Sequence, residues 1–112
     1  MATKNRVCAH IVVSNGPSAG AIKALGLEPA CTIGRGRDTD FQVRDRNTSR
    51  HHCTVEFDGD YFWLVDEGSA NGTLVNDERV RRYMLYEGDR ISAGTTEIVF
   101  HSSPPPSDED DQ

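Results

Sequence analysis

The sequence predicts an all-β sandwich, and two of its features support this fold class. Apolar side chains recur with a period of two over most of the chain, which is the spacing of a strand that buries one face. Clusters of glycine, aspartate, asparagine and serine separate these runs at short intervals, as in sandwiches and barrels. No amphipathic helix is evident. Residues 20–27 contain helix formers, but Gly20 and Gly26 limit the run and a strand is the better interpretation.

The first predicted strand covers residues 7–13. Its alternation places Ala9, Ile11 and Val13 on one face, together with Val7, and leaves His10 on the other face. This pattern predicts a strand that contacts the core from one side only.

Two further predicted strands, residues 53–57 and 61–65, flank the sequence "DGD". Asp and Gly tolerate the positive φ of primed turns, so this spacing predicts a β-hairpin. Apolar side chains occupy both faces of residues 61–65, as in a strand that is covered on both sides. The last predicted strand covers residues 96–101, where Ile98 and Phe100 share a face.

Length and composition indicate one small domain. A chain of 112 residues lies in the usual size range of a domain and can bury a core without disulfides or metals. Three cysteines at irregular spacing indicate reduced thiols in a cytoplasmic setting. No apolar run approaches the roughly 20 residues that cross a bilayer, and the first ten residues lack a secretory signal, so no membrane association is expected.

Charge is unevenly distributed along the chain. The formal net charge of −6 disfavours nucleic-acid binding, which needs clustered Lys and Arg. Residues 108–111 supply four of these net negative charges, which leaves −2 on residues 1–107. Within that body, residues 35–50 contain five arginines and three aspartates and are locally +2. A small anion site could therefore lie in this stretch.

Composition also predicts the domain boundaries. From Ser102 the sequence reads "SSPPPSDEDDQ", whose prolines and carboxylates cannot build a core. We therefore expect residues 102–112 to be a disordered tail or the start of a linker. Residues 1–5 are expected to form a short N-terminal tail, and residues 6–101 the folded domain.

The stretch "NTSRHHCTV" raises the question of metal binding or catalysis. His51, His52 and Cys53 are adjacent, so strand geometry would point them to alternating faces and away from a common ion. Ser49 and His52 could be drawn into a triad with Asp66, but the chain has no nucleophile elbow and no oxyanion loop. We expect no metal site, no cofactor and no enzymatic activity.

Anion binding suits the residues better. Arg35 ends an apolar stretch, and its planar guanidinium matches phosphate oxygens. Ser49 and Arg50 add a hydroxyl and a second guanidinium, and Asn71 adds a carboxamide that can hold a peptide backbone. Each group is a weak signal alone, and no P-loop or dinucleotide fingerprint is present.

The order of these pieces is more informative. "GR" at 34–35, "SRHH" at 49–52, "SANGTLVN" at 69–76 and "GDRI" at 88–91 together resemble the forkhead-associated (FHA) domain. That family's pattern is G-R, S-R-x-H, S-x-N-G-T-x-V-N and G-D-x-I, and the resemblance covers about residues 6–101. It implies an FHA-type β-sandwich of about eleven strands that binds phosphothreonine peptides through loops at one end.

The resemblance also implies roles for the residues that match the motifs. Arg35 and Ser49 are expected to contact the phosphate, with Arg50 assisting, and Asn71 to hydrogen-bond the peptide main chain. A phosphothreonine carries nearly two negative charges and three strong acceptor oxygens, so charge-assisted bonds would supply most of the affinity. Threonine preference, attributed to a small pocket for the γ-methyl group, is a family trait.

Other matching residues are expected to support the site. Gly34 and His52 are mainly architectural in the family, with His52 bracing the binding loops by hydrogen bonds. Gly72 is expected to allow the tight turn that aims Asn71. His51 is expected to be exposed, and Cys53 to be a small core residue.

Three positions stand apart from the motifs. Ala70 precedes Asn71 where many relatives carry a polar side chain, so a peptide contact from Ala70 must use its backbone. "VND" replaces the more usual V-N-G, so the loop after Asn76 is expected to differ in shape. Thr48, with its neighbour Asn47, is expected to read peptide residues beyond the phosphothreonine.

These observations leave three candidate functions. The first is a phosphothreonine-dependent binding module in signalling or regulated assembly, whose partner is a phosphorylated kinase substrate or a Ser/Thr kinase. The second is a scaffold for phosphate-independent contacts or self-association, and the third a small hydrolase that uses Ser49 and His52. We expect an intracellular monomer, cytoplasmic or, in a eukaryote, nuclear. Thr3 and Ser107 are candidate phosphorylation sites, although a solvated tail is the simpler interpretation.

Overall fold

The computed structural model describes residues 9–106, which form eleven strands and no helix. The predicted all-β class is therefore confirmed. None of these residues belongs to a helix that could span a membrane. In chain order the strands are β1 (Ala9–Val13), β2 (Ile22–Leu25), β3 (Ala30–Gly34), β4 (Phe41–Gln42), β5 (Cys53–Phe57), β6 (Phe62–Asp66), β7 (Thr73–Val75), β8 (Glu78–Val80), β9 (Arg82–Met84), β10 (Arg90–Ala93) and β11 (Thr96–His101).

The strands form two sheets that pack face to face. One sheet has six strands in the order β2-β1-β11-β10-β7-β8, and the other has five in the order β4-β3-β5-β6-β9. Neighbouring strands are antiparallel except for β3 and β4, which are parallel. Each sheet contributes its apolar face to one shared core.

The core follows the period-two pattern of the sequence. Ile11 in β1 and Ile98 in β11 are fully buried, and Ile33 and Leu64 face them from the other sheet. Cys53 is buried as predicted, and it and Cys31 are free thiols. Burial raises the pKa of Cys31 to about 11 and that of Cys53 to about 12. Val7 and Cys8 lie outside the described residues.

The predicted strands agree closely with the observed ones. Residues 53–57 and 96–101 coincide with β5 and β11, and residues 20–27 contain β2. The hairpin predicted at "DGD" joins β5 to β6, with Gly59 at φ 104°. β6 begins one residue later than predicted, because the amide of Tyr61 donates to Asp58 in the turn. The outer face of β6 is less covered than expected: Trp63 is half-buried, with the Arg82 guanidinium 4.1 Å from its ring centroid.

The chain after β11 stays against the sandwich for two residues beyond the predicted boundary. The amide of Ser102 donates to a carboxylate oxygen of Glu87 at 2.7 Å, and the carbonyl of Ser103 lies 2.6 Å from Nδ1 of His10. His10 also stacks on His101, with ring centroids 4.9 Å apart. This contact explains why His10 is buried although it lies on the outward face of β1.

The turn between β7 and β8 has Asp77 at a position where hairpin turns usually have glycine. Asn76 and Asp77 both have positive φ, 51° and 75°, which is the backbone of a two-residue type I′ turn. The side chain of Asn76 stabilises this turn: its Nδ2 donates to Asp89 and its Oδ1 accepts from the amide of Arg90. Asp77 occupies the position where glycine is favoured, and its carboxylate lies 3.6 Å from Arg90.

We predict that Asp77→Gly stabilises the protein by about 0.5–1 kcal/mol, because glycine adopts positive φ without the clash of a β-carbon. The exposed ion pair with Arg90 contributes little and its loss should not offset this gain. Urea denaturation measures the change. Asp60→Gly, in the hairpin turn between β5 and β6, is the matched control: Asp60 does not have positive φ, so glycine should not stabilise there. Equal effects of both substitutions would contradict the prediction.

Candidate functional site

The residues expected to contact the peptide, Arg35, Ser49, Arg50 and Asn71, lie in loops at one end of the sandwich, whereas residues 88–91 of the last motif lie at the opposite end. The strand register requires this arrangement, since Cys53 at the start of β5 pairs with Ile33 near the end of β3 and with Asp66 at the end of β6. In the other sheet, Thr73 at the start of β7 pairs with Ala93 at the end of β10. In chain order, the first, second, third and fourth loops at this end are residues 35–40, 43–52, 67–72 and 94–95.

Arg35 is exposed, and two hydrogen bonds fix its position at this end. Its amide donates to the carbonyl of Ser49, and its Nε donates to the carbonyl of Thr48, both at 3.0 Å. The two terminal nitrogens have no partner among residues 9–106. The guanidinium is thus oriented by its Nε and presents its remaining donors to solvent.

Ser49 connects the second loop to the third. Its Oγ accepts a hydrogen bond from the amide of Ala70 at 3.0 Å. Because this bond uses a lone pair of the hydroxyl, the O–H remains available to donate to a ligand. Ala70 has therefore already used its amide, and only its carbonyl could contact a peptide.

His52 links the second and third loops from the protein interior. Its ring is fully buried, its Nδ1 accepts from the amide of Ser49 at 3.0 Å, and its Nε2 lies 2.9 Å from the carbonyl of Gly72. An amide can only donate, so Nδ1 carries no proton and Nε2 is the donor to Gly72. His51, the adjacent residue, is exposed, and its side chain bonds to the carboxylate of Asp38 at 3.0 Å.

Asn71 lies at the exposed tip of the third loop. Its Nδ2 donates to the carbonyl of Asn47 at 3.0 Å, which ties this tip to the second loop. Gly72 follows with φ 83°, a conformation that favours glycine. The side chain of Asn71 keeps its Oδ1 for a ligand, since no described residue donates to it.

Asp66 organises the loop that carries Asn71. One of its oxygens accepts from the hydroxyls of Ser69 and Thr73, and the other accepts from the amides of Gly68 and Ser69. Burial opposes ionisation of this carboxyl, but these bonds outweigh it and lower its pKa. The Ser and Thr of the "SANGT" motif therefore donate hydrogen bonds to Asp66.

Arg50 and Arg37 share a shallow surface depression with Arg35. Gly36, Asp38 and Gln42 also line it, and the amide of Gly36 donates to the carbonyl of Arg50 at 3.0 Å. No carboxylate among residues 9–106 forms an ion pair with these three arginines. The three arginines outnumber the single carboxylate of the lining, so the depression has a net positive charge in an acidic chain.

Gly34 is required by a close approach of two backbones. A β-carbon at Gly34 would lie 2.1 Å from the carbonyl oxygen of Arg50 and 2.9 Å from that of Ser49. Any side chain here would push the second loop away from Arg35. The glycine of the "GR" motif thus allows the two loops to pair.

The position of Thr48 differs from the expectation that it reads peptide residues. Its side chain is only 1% exposed, and its hydroxyl donates to the carbonyl of Ala93 at 2.8 Å. Its own carbonyl accepts from Arg35. Thr48 therefore supports the second loop from inside, while its neighbour Asn47 is exposed.

Asp45 is a supporting residue that the sequence reasoning missed. One oxygen accepts from the amide of Asn47, and the other from the amide and hydroxyl of Thr95 and the hydroxyl of Thr96. Burial opposes its ionisation, but these hydrogen bonds prevail and hold the pKa of Asp45 well below its usual range. Asp45 thus ties the second loop to the turn between β10 and β11. The "D-x-N" spacing, typical of an Asx turn, was the available signal.

The geometry gives no support to the hydrolase hypothesis. Both ring nitrogens of His52 bond to backbone groups, and neither contacts the hydroxyl of Ser49. Asp66 bonds to its own loop and not to the imidazole. Within residues 9–106, no three His, Cys, Asp or Glu side chains are grouped so that they could hold a metal ion.

We predict that His52→Ala destabilises the protein by about 2–4 kcal/mol, because it removes two buried hydrogen bonds and leaves a cavity. Urea denaturation should show this loss. His51→Ala is the matched control and should cost less than about 1 kcal/mol, since it removes only an exposed contact with Asp38. Similar losses for both variants would contradict the assigned support role.

We further predict that Asp45→Asn costs about 1–3 kcal/mol near neutral pH, because an amide group would face donors that now bond to a carboxylate oxygen. The pKa of Asp45 in the folded state lies below the ordinary value of 3.8. The ionised carboxylate therefore stabilises the fold fully above pH 3.8, and this stabilisation is lost as the pH falls through the folded-state pKa. The gap between wild type and variant should therefore shrink at acid pH.

Denaturation across pH measures this gap. Asp60→Asn, at an exposed carboxylate whose side chain has no hydrogen bond among the described residues, is the control for the charge change. A gap of constant size from neutral to strongly acid pH would refute the role given to Asp45.

Comparisons with known proteins identify the family. The FHA domain family matches residues 31–94. The chain is 38% identical over 96 residues to the glycogen accumulation regulator GarA of Mycolicibacterium smegmatis, covering 86% of this chain and 60% of GarA. It is also 38% identical over 96 residues to the oxoglutarate dehydrogenase inhibitor of Corynebacterium efficiens, covering 86% of this chain and 67% of the inhibitor.

A solved FHA domain, studied for phosphothreonine-dependent FHA domain interactions, superimposes with a TM-score of 0.79 at 34% identity. The match covers 88% of this chain and 99% of that domain. The eleven-strand sandwich, the order of the motifs and these matches agree. The chain belongs to the FHA domain family.

Proposed function

We propose that this chain is a phosphothreonine-dependent binding module whose site is the rim formed by Arg35, Ser49, Arg50 and Asn71. The observation that carries the proposal is the set of hydrogen bonds that joins the loops on which these residues lie. Arg35 bonds to the backbone of the second loop, Ser49 bonds to the third loop, and Asn71 bonds back to the second. Donors that are far apart in sequence are thereby held on one rim before a ligand arrives.

The proposed roles follow from the free donors and acceptors. Arg35 and Arg50 offer guanidinium nitrogens to the phosphate, and Ser49 offers its hydroxyl hydrogen. Asn71 can use its free carboxamide oxygen on a peptide amide. Because backbone bonds already fix these loops, binding requires little additional ordering, which limits its entropic cost.

The partner is a protein that carries a phosphothreonine, and the chain itself has no catalytic role. The relatives support this proposal, because one is named as a regulator and the other as an inhibitor. The solved FHA domain has phosphothreonine-dependent interactions. We propose an intracellular monomer with the folded domain at residues 6–101, and the docking of Ser102 and Ser103 extends that unit to residue 103.

The test is titration of a fluorescent phosphothreonine peptide library by anisotropy. We predict that Arg35→Ala weakens binding about 10- to 100-fold, because it removes charge-assisted hydrogen bonds to the phosphate. Arg37→Ala is the matched control. It removes the same charge from the same depression but lies outside the motif, and it should have a smaller effect.

Two outcomes would contradict the proposal. Equal affinity of wild type and Arg35→Ala would show that the arginine does not hold the phosphate. Equal affinity for phosphorylated and unphosphorylated peptides would favour the scaffold function instead. Raising the salt concentration should weaken phosphopeptide binding by wild type, since exposed charges are screened over about 8–10 Å.

A further inference from the structure

A second pair of arginines lies on the other side of Asn71. In β8, Val80 packs against the core, so Arg79 points to the opposite face and is exposed. A β-carbon built on Gly72 would lie 2.7 Å from Nε and 2.9 Å from Cζ of Arg79. The guanidinium of Arg79 therefore covers the backbone immediately after Asn71.

Arg79 and Arg81 line a polar groove that is separate from the depression around Arg35. The groove has a volume of about 480 Å³, and the third loop forms its other side. Its lining residues are Asp66, Gly68, Ser69, Arg79, Val80 and Arg81. None of them lines the depression that contains Arg35 and Arg50.

The groove has a net positive charge, from two arginines against one aspartate. Neither arginine forms an ion pair with a carboxylate among residues 9–106. Asp66 is the only acidic residue in the lining, and both of its oxygens already accept hydrogen bonds within the third loop. Two guanidinium groups thus face solvent with donors that the described protein does not use.

We propose that Arg79 and Arg81 form a second anion-binding subsite. It binds an acidic or phosphorylated side chain of the same peptide on one side of the phosphothreonine. The inference rests on the proposed function, because Asn71 must hold the peptide for its chain to continue past Gly72. An extended peptide that runs from Arg35 across Asn71 passes next to Arg79, where a carboxylate or phosphate meets unpaired guanidinium donors.

The subsite is exposed, and this sets the size of its effect. Exposed ion pairs contribute little, so each arginine should improve affinity about two- to fivefold for a carboxylate. A second phosphate carries nearly twice the charge and should gain more. The subsite therefore selects among phosphothreonine peptides and does not replace the phosphate contact.

The experiment compares three sets of phosphothreonine peptides by anisotropy. In one set the flanking positions are neutral, in the second a single Asp is moved through them, and in the third a second phosphothreonine replaces the Asp. Wild type should prefer the charged peptides at positions on one side only. Arg79→Gln and Arg81→Gln should each remove about two- to fivefold of that preference and leave affinity for the neutral set unchanged.

Two further variants separate the subsite from general charge effects. Arg79→Lys keeps the charge and should retain part of the preference, whereas Lys23→Gln, a loss of one positive charge on β2, should keep all of it. Equal affinity of wild type for the neutral and charged sets, or a preference that survives Arg79→Gln and Arg81→Gln together, would overturn the subsite. Failure of wild type to bind any phosphothreonine peptide would instead overturn the proposed function.

Discussion

The rim of this domain depends on one buried imidazole. His52 accepts from the amide of Ser49 and donates to the carbonyl of Gly72, so a single neutral ring fixes the distance between two loops that are joined to different strands. A backbone amide and a backbone carbonyl buried without partners would each cost free energy, and this ring satisfies both. Ser49 and Asn71, one beside each end of this bridge, are the residues we assign to the ligand. The ring therefore determines the geometry of the site without facing it.

The chain is acidic overall, yet its rim is basic, because several aspartates form hydrogen bonds within turns and do not pair with the arginines of the rim. Asp45, Asp66 and Asp89 are used inside turns, where they accept hydrogen bonds from amides and from hydroxyl or carboxamide groups of the same or a neighbouring loop. These carboxylates are committed to local structure and do not neutralise the rim. The arginines at positions 35, 37 and 50 consequently remain without ion pairs among residues 9–106, although the whole chain has a net charge of −6.

The sequence predicted the fold well because its strands follow strict alternation. The hairpin at "DGD" and the last strand could be located to within a residue, since turn chemistry and period both specify them. The support roles were harder to predict. Thr48 is buried because its hydroxyl reaches Ala93, 45 positions away in the chain, and Asp45 acts on Thr95 at a separation of 50. Such contacts depend on how two sheets pack, which no local pattern encodes.

The alkylation rate of the buried thiols of Cys31 and Cys53 can report how often the sandwich opens. Alkylating reagents react with thiolates, and Cys31 and Cys53 are both enclosed and difficult to ionise near neutral pH. Covalent labelling of these sulfurs therefore requires the structure around them to open. In a chain whose Cys8 has been replaced by serine, the labelling rate would follow the frequency of such openings, and phosphopeptide that binds only the closed form would slow it.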